Sequence, residues 1–277
     1  SVGEKWLLSR LYATMSAAFP GQVQWQFLKP NYLFNLVLVG AKGLPGFRSD
    51  PESDARLSAE APVTDDWPFL YLRSATIPPL YLQCFAFISL LIGGVFWALR
   101  KLHSGSRANS AFFLLGMGFT LAESAAIVRF TLLFGANWIV SAVVFSAALL
   151  VVFLANECVA RERAPPLPVA WAGVLLFCLA NFLLPVSALL ALDPLARALA
   201  SGFLFGAPIF FAGICFSRLF KAERQSGYAL GLNLVGAMAG GMLEYLSMVA
   251  GMRAMWLLVV LVYFLAFAGS KTRAADL

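Results

Sequence analysis

Glu123, Arg129, Asn181, Asn233, Glu244, Tyr245 and Arg253 stand among the polar residues inside otherwise apolar stretches of the chain. An ionisable or amide side chain within a bilayer is costly and tends to face a bundle interior, where it marks a proton or substrate path or a structural pairing. At about 1.5 Å per residue, Arg129 lies about six residues from one end of its apolar run, and Glu244 about seven from the same-side end of its own. The matched depth predicts an ion pair between Arg129 and Glu244, shared by Tyr245 or Arg253. Such a pair fixes helix register, or serves transport or catalysis; the alternative for Arg129 is snorkelling to the interface. Glu123 is about 12 residues from either end of its run, near the midplane. A lone carboxyl there is either hydrogen-bonded within the bundle, with Asn181 at comparable depth as partner, or part of a proton or substrate path. Gly227, Gly231, Gly236, Gly240 and Gly241 surround Asn233 with two small-xxx-small spacings, which favour close helix packing over ligand binding.

Chemistry outside these runs is sparse. Asp65 and Asp66 are adjacent carboxylates just before Trp67-Pro68; neighbours in sequence point apart, so they cap or brace a turn rather than act as acid and base. Cys84, Cys158, Cys178 and Cys215 form no CxxC pair and read as small core residues. The single histidine, His103, falls in a polar loop, so no apolar run offers the usual haem or zinc ligand. No cofactor and no metal is expected in this chain.

The elements that position these residues are membrane helices. At 61% hydrophobic and 12% charged, with mean hydropathy +0.81, the chain is far from the soluble globular range of about half apolar and a quarter charged. The formal charge of +6 follows from basic residues between apolar runs, which is topology rather than a nucleic-acid surface. Seven runs reach the length of about 20 residues that spans a bilayer: Ile77 to Leu99, Ser110 to Phe134, Trp138 to Glu157, Val169 to Leu190, Leu199 to Phe220, Gly227 to Ala250 and Arg253 to Ala268. Seven crossings place the two ends of this region on opposite faces. One face carries Arg100, Lys101, Arg107, Arg161, Arg163, Arg218, Lys221, Arg224, Lys271 and Arg273; the other has only Arg73, Arg197 and Arg253 near a helix end. The positive-inside rule then puts the C-terminus in the cytoplasm and the N-terminal segment outside.

Residues 1–40 differ. Trp6, Leu7, Leu11, Tyr12, Met15 and Phe19 recur at helical spacing until Pro20-Gly21. Gln22 to Phe27 alternates with period two, Lys29-Pro30-Asn31 supplies a turn, and Leu33 to Val39 forms a second run. A helix and one hairpin bury too little to fold alone, so the sheet requires strands from upstream residues or a partner protein. The start at Ser1, with no signal-peptide pattern, fits a piece of a longer product. Residues 41–76 read as a Gly-, Pro- and Ser-rich linker ending in the junction Thr64-Asp65-Asp66-Trp67, and 77–277 as the bundle.

Beyond residue 60 the chain resembles the C-terminal membrane portion of bacterial spermidine synthase-like proteins, in which a class I methyltransferase-fold domain joins a multi-helix membrane region. The residues that carry the resemblance are Thr64 to Tyr71; Gly116 to Phe119 with Leu121 and Glu123; Leu133-Phe134-Gly135 with Trp138; Asn233 with Gly236; and Gly240 to Ser247 with Gly251 and Arg253-Ala254. It implies that residues 1–40 are the last helix and last two strands of that fold. It also implies that the cofactor loop and the transfer carboxylates lie upstream, since neither can be assigned here. A domain outside the cytoplasm has no ready adenosyl donor, which favours a disused fold serving as a platform. The reading is a seven-helix inner-membrane scaffold subunit, non-catalytic in this chain, with the bilayer and a protein partner or upstream domain as its contacts. The alternatives are the membrane half of an aminopropyl- or methyltransferase, and a small-molecule or lipid transporter using Glu123 and the Arg129/Glu244 pair.

Overall fold

The computed structural model describes residues 4–20, 23–27, 36–40, 60–102 and 110–275. His103, the expected turn at Lys29 to Asn31 and most of the expected linker lie outside them. The chain divides into two units, Ser1–Thr76 and Ile77–Leu277.

In the first unit, helix α1 (Glu4–Ala18) is followed by strands β1 (Val23–Phe27) and β2 (Leu36–Gly40). The strands pair antiparallel with Val23 opposite Gly40 and Phe27 opposite Leu36. Alternation of Gln and apolar residues in β1 suits a ribbon with two unlike faces, and α1 contacts both strands.

The second unit is helical: α2 (Pro79–Leu102), α3 (Ser110–Phe134), α4 (Trp138–Ala160), α5 (Leu167–Leu183), α6 (Val186–Leu190), α7 (Pro194–Lys221), α8 (Ser226–Leu243), a 3₁₀ turn (Glu244–Leu246), α9 (Ser247–Ala250) and α10 (Met252–Ala275). Among the described residues, six helical stretches are long and apolar enough to cross a membrane, the shortest of 19 residues, or about 28 Å at 1.5 Å per residue. The expected fourth span, Val169 to Leu190, is broken. Pro185 cannot donate to the helix and pushes Leu184 out of the helical region, to ψ 112°, so α5 stops at 17 residues and α6 restarts after the proline. Large side chains such as Leu90, Leu149 and Leu195 stand exposed along these helices, as a lipid-facing surface requires. The chain is a multi-pass helical membrane protein.

The centre is α3, which packs against α8, α10, α4 and α7. Its contact with α8 is made backbone to backbone. A methyl group added at Gly116, Gly236 or Gly240 would lie 2.0, 1.9 or 2.5 Å from the carbonyl oxygens of Asn233, Phe113 and Met117. Only glycine lets two helices approach this closely. A main core joins Leu121 and Ala125 of α3 to Trp171 and Cys178 of α5, Cys215 of α7 and Tyr263 of α10. Gly251 turns the chain from α9 into α10 at φ 86°, a conformation other residues adopt only with strain.

Candidate functional site

Three of the polar residues, Arg129, Asn181 and Arg253, gather where α5 ends. A helix leaves its last carbonyls without donors, and the break at Pro185 puts those of α5 inside the protein. Arg129 of α3, 7% exposed, supplies the donors. Its Nη1 donates to the Asn181 carbonyl at 3.0 Å and to Asn181 Oδ1 at 2.9 Å, and its Nη2 donates to the Leu184 carbonyl. The Asn181 carbonyl would normally bond the amide four residues on, which is Pro185 and has no N–H. Arg253 of α10 donates through Nε to the Phe182 carbonyl at 3.2 Å, with its guanidinium 5.0 Å from the Phe182 ring centroid. Two cations therefore cap one helix C-terminus, where the macrodipole is negative.

Asn181 repeats the device one helix further on. Its Nδ2 donates to the Phe177 carbonyl at 2.9 Å and to the Leu204 carbonyl of α7 at 2.7 Å. Leu204 is four residues before Pro208, inside α7, so its carbonyl too has lost its helical donor. Two prolines free two buried carbonyls, and one Arg–Asn pair satisfies both.

The ion pair expected between Arg129 and Glu244 is not formed. Glu244 accepts instead from Ser124 Oγ at 2.8 Å. Depth alone was the wrong criterion, because Ser124 and Arg129 are five residues apart and point about 140° apart around α3. Ser124 faces α8, whereas Arg129 faces α5. Arg253 is engaged at the Phe182 carbonyl. Tyr245 lies 5.1 Å, centroid to centroid, from both Tyr81 and Phe85 of α2. The expected bond between Glu123 and Asn181 is also absent, since Asn181 is occupied by Arg129 and two carbonyls. Glu123 is half-buried and makes no hydrogen bond or salt bridge among the described residues. Asn233 donates to the Phe112 carbonyl at 3.1 Å, beside the glycine contact of α3 and α8.

In the first unit the organising residue is Arg10, which the helical apolar pattern of α1 conceals. It is 4% exposed, lies 5.3 Å from the Trp6 ring and 5.4 Å from the Trp67 ring, and donates to the carbonyls of Leu72 and Arg73. Glu60 sits 3.7 Å from Arg10 and 3.4 Å from Arg73. Residues 60–73 are thus fastened to α1, so the last four residues of the expected linker, 60–63, are held together with the junction. Thr64 Oγ1 accepts from the Trp67 amide at 3.1 Å, while Asp65 and Asp66 are exposed. The signal available in the sequence was Trp6 and Arg10 one helical turn apart, with a second tryptophan at the junction.

No cluster of three or more His, Cys, Asp or Glu side chains suited to a metal occurs among the described residues. No protein-family model, curated protein or solved structure matches the chain. The Arg129–Asn181 node ties α3, α5 and α7 together through hydrogen bonds to carbonyls. The chemistry it performs is hydrogen-bond satisfaction in a medium without water.

Proposed function

We propose that the chain is a membrane anchor and scaffold subunit whose N-terminal unit belongs to a methyltransferase-like, spermidine synthase-like domain, without catalysis of its own. The observation that carries this reading is the two-stranded sheet β1–β2 backed by a helix whose Leu7, Leu11 and Met15 are only partly covered. A lone hairpin is marginal in water, so further strands and a covering layer complete the unit. The bundle supports the reading as well: Arg129, Arg253 and Glu244 are consumed by carbonyls and a hydroxyl, which suits a static support. On this reading α5 and α6 together make a seventh crossing. Ten basic residues at one end against three at the other support a cytoplasmic C-terminus and an N-terminal unit outside, in a bacterial inner membrane.

The test is photo-crosslinking from Gln24 or Val37, one on each strand, in native membranes. Adduct peptides derived from outside residues 1–277 are expected; their absence from both positions counts against the scaffold. Calorimetric binding of an adenosyl donor by the resulting complex would instead favour the transferase alternative. A transporter reading has one observation behind it, the unbonded half-buried Glu123 carboxyl, and requires substrate-dependent uptake into vesicles that Glu123→Gln abolishes.

A further inference from the structure

Helices α3, α4, α7 and α8 enclose a cleft, with Ile209, Ala212, Gly213 and Phe216 of α7 forming one wall. Its volume is about 210 Å³, and Leu115, Phe119, Val152, Phe216, Asn156 and Asn233 line it. That is smaller than the roughly 300 Å³ at which pockets begin to take drug-sized molecules, and it suits a segment of an acyl chain.

The polar wall of the cleft carries an unused donor. Asn156 is exposed, and its Oδ1 accepts from Ser217 Oγ of α7. Its Nδ2 makes no hydrogen bond among the described residues. The 23 residues of α4 extend about 34 Å against a hydrocarbon core of about 30 Å. With α4 centred on that core, Asn156, four residues before Ala160, lies about 4 Å inside its edge, within a side chain's reach of the phospholipid ester groups. An amide donor there without an acceptor is costly.

The loops beyond this end of the cleft adjoin each other. Lys221 lies 3.8 Å from Glu162, and Arg218 Nη2 donates to the Ala164 carbonyl at 2.6 Å. Glu157 and Glu162 are paired with Arg161 and Lys221, and Glu223 accepts from the Gln225 amide. Arg163 and Arg224, in the same loops, form no salt bridge among the described residues.

We propose that the cleft seats one acyl chain of an anionic glycerophospholipid from that leaflet. An ester carbonyl accepts from Asn156 Nδ2, and the phosphate lies toward Arg163 and Arg224. The site is independent of what completes the N-terminal unit.

The experiment is native mass spectrometry of the full chain in mild detergent, titrated with phosphatidylglycerol or phosphatidylcholine. The wild type retains one phosphatidylglycerol in preference to phosphatidylcholine. Asn156→Leu weakens it about fivefold, the worth of one hydrogen bond of about 1 kcal/mol. Val152→Trp, which fills the cleft, abolishes retention, and Leu154→Trp, on the opposite side of α4, leaves it unchanged. Thermal melting reports whether each variant is folded; if Val152→Trp is not, Asn156→Leu decides. Equal retention of both lipids by the wild type, or retention by Asn156→Leu matching the wild type, overturns the proposal.

Discussion

Arg129 donates at 3.0 Å to the main-chain carbonyl of Asn181, the acceptor that Pro185 deprives of its helical partner. A side chain from one helix thus replaces a main-chain donor missing from another. The same geometry explains why a buried guanidinium persists without a carboxylate beside it: its charge meets three acceptors at the negative end of α5.

Replacing Arg129 by leucine leaves those acceptors unsatisfied, so a loss of about 3 kcal/mol is expected, at the upper end for a hydrogen bond to a charged group. Thermal unfolding in detergent, followed by a thiol-reactive dye at the buried Cys178 and Cys215, measures it. The cost shrinks in a Pro185→Ala background, where the restored amide serves the Asn181 carbonyl. An equal cost in both backgrounds would refute the substitution of donors.

A parallel cycle applies to the second proline. Asn181→Leu is expected to cost about 2 kcal/mol through the orphaned Leu204 carbonyl and the lost Arg129 contact. Combined with Pro208→Ala it should cost less, because the helix then supplies its own donor. Additivity of the two changes, read from the same unfolding assay, would show that Asn181 and Pro208 act separately.

Gly236→Ala places a methyl group 1.9 Å from the Phe113 carbonyl oxygen, whereas Gly202→Ala meets nothing within 4 Å. Separation of α3 from α8 is expected to cost about 1 to 3 kcal/mol in the first case, the usual range for overpacking. The second should be neutral or slightly stabilising, since alanine is the better helix former. Melting temperatures of the two single variants decide it.

Arg10→Gln removes the charge between Trp6 and Trp67 and at least one of the bonds to the carbonyls of Leu72 and Arg73. A weakening of about 1.4 kcal/mol corresponds to a tenfold rise in opening of the 60–73 segment. Tryptic cleavage after Arg73 should accelerate by about that factor, with the melting of the helical bundle unchanged. An unaltered cleavage rate would mean that the segment is held by other contacts.

Hydrophobic length made most of the bundle legible, because span length follows directly from bilayer thickness. It failed at Val169 to Leu190 because composition does not register a proline break that neighbouring side chains repair. Depth along a helix was readable for Arg129 and Glu244, but azimuth was not, since it depends on which helices flank α3. The prolines were the missed signal. Each one names an orphaned carbonyl four residues earlier, Asn181 and Leu204, and directs the search to a polar side chain at that depth. Arg10 was missed for a different reason: its burial depends on residues 60–73 folding back, and the Trp6–Arg10 spacing marks only half of that contact.

The distance between Arg129 and its acceptors along the chain has a bearing on biogenesis. The ribosome makes Arg129 52 residues before Asn181, and an arginine costs an inserting helix about 2.5 to 3.5 kcal/mol at its centre and less toward its end, where Arg129 lies. In a chain truncated before Asn181, α3 carries that charge uncompensated. Extension past Leu184 supplies the compensation and should secure the helix in glycosylation-mapping assays. The bundle therefore has a direction of assembly written into it, in which an earlier crossing is made secure only by a later one.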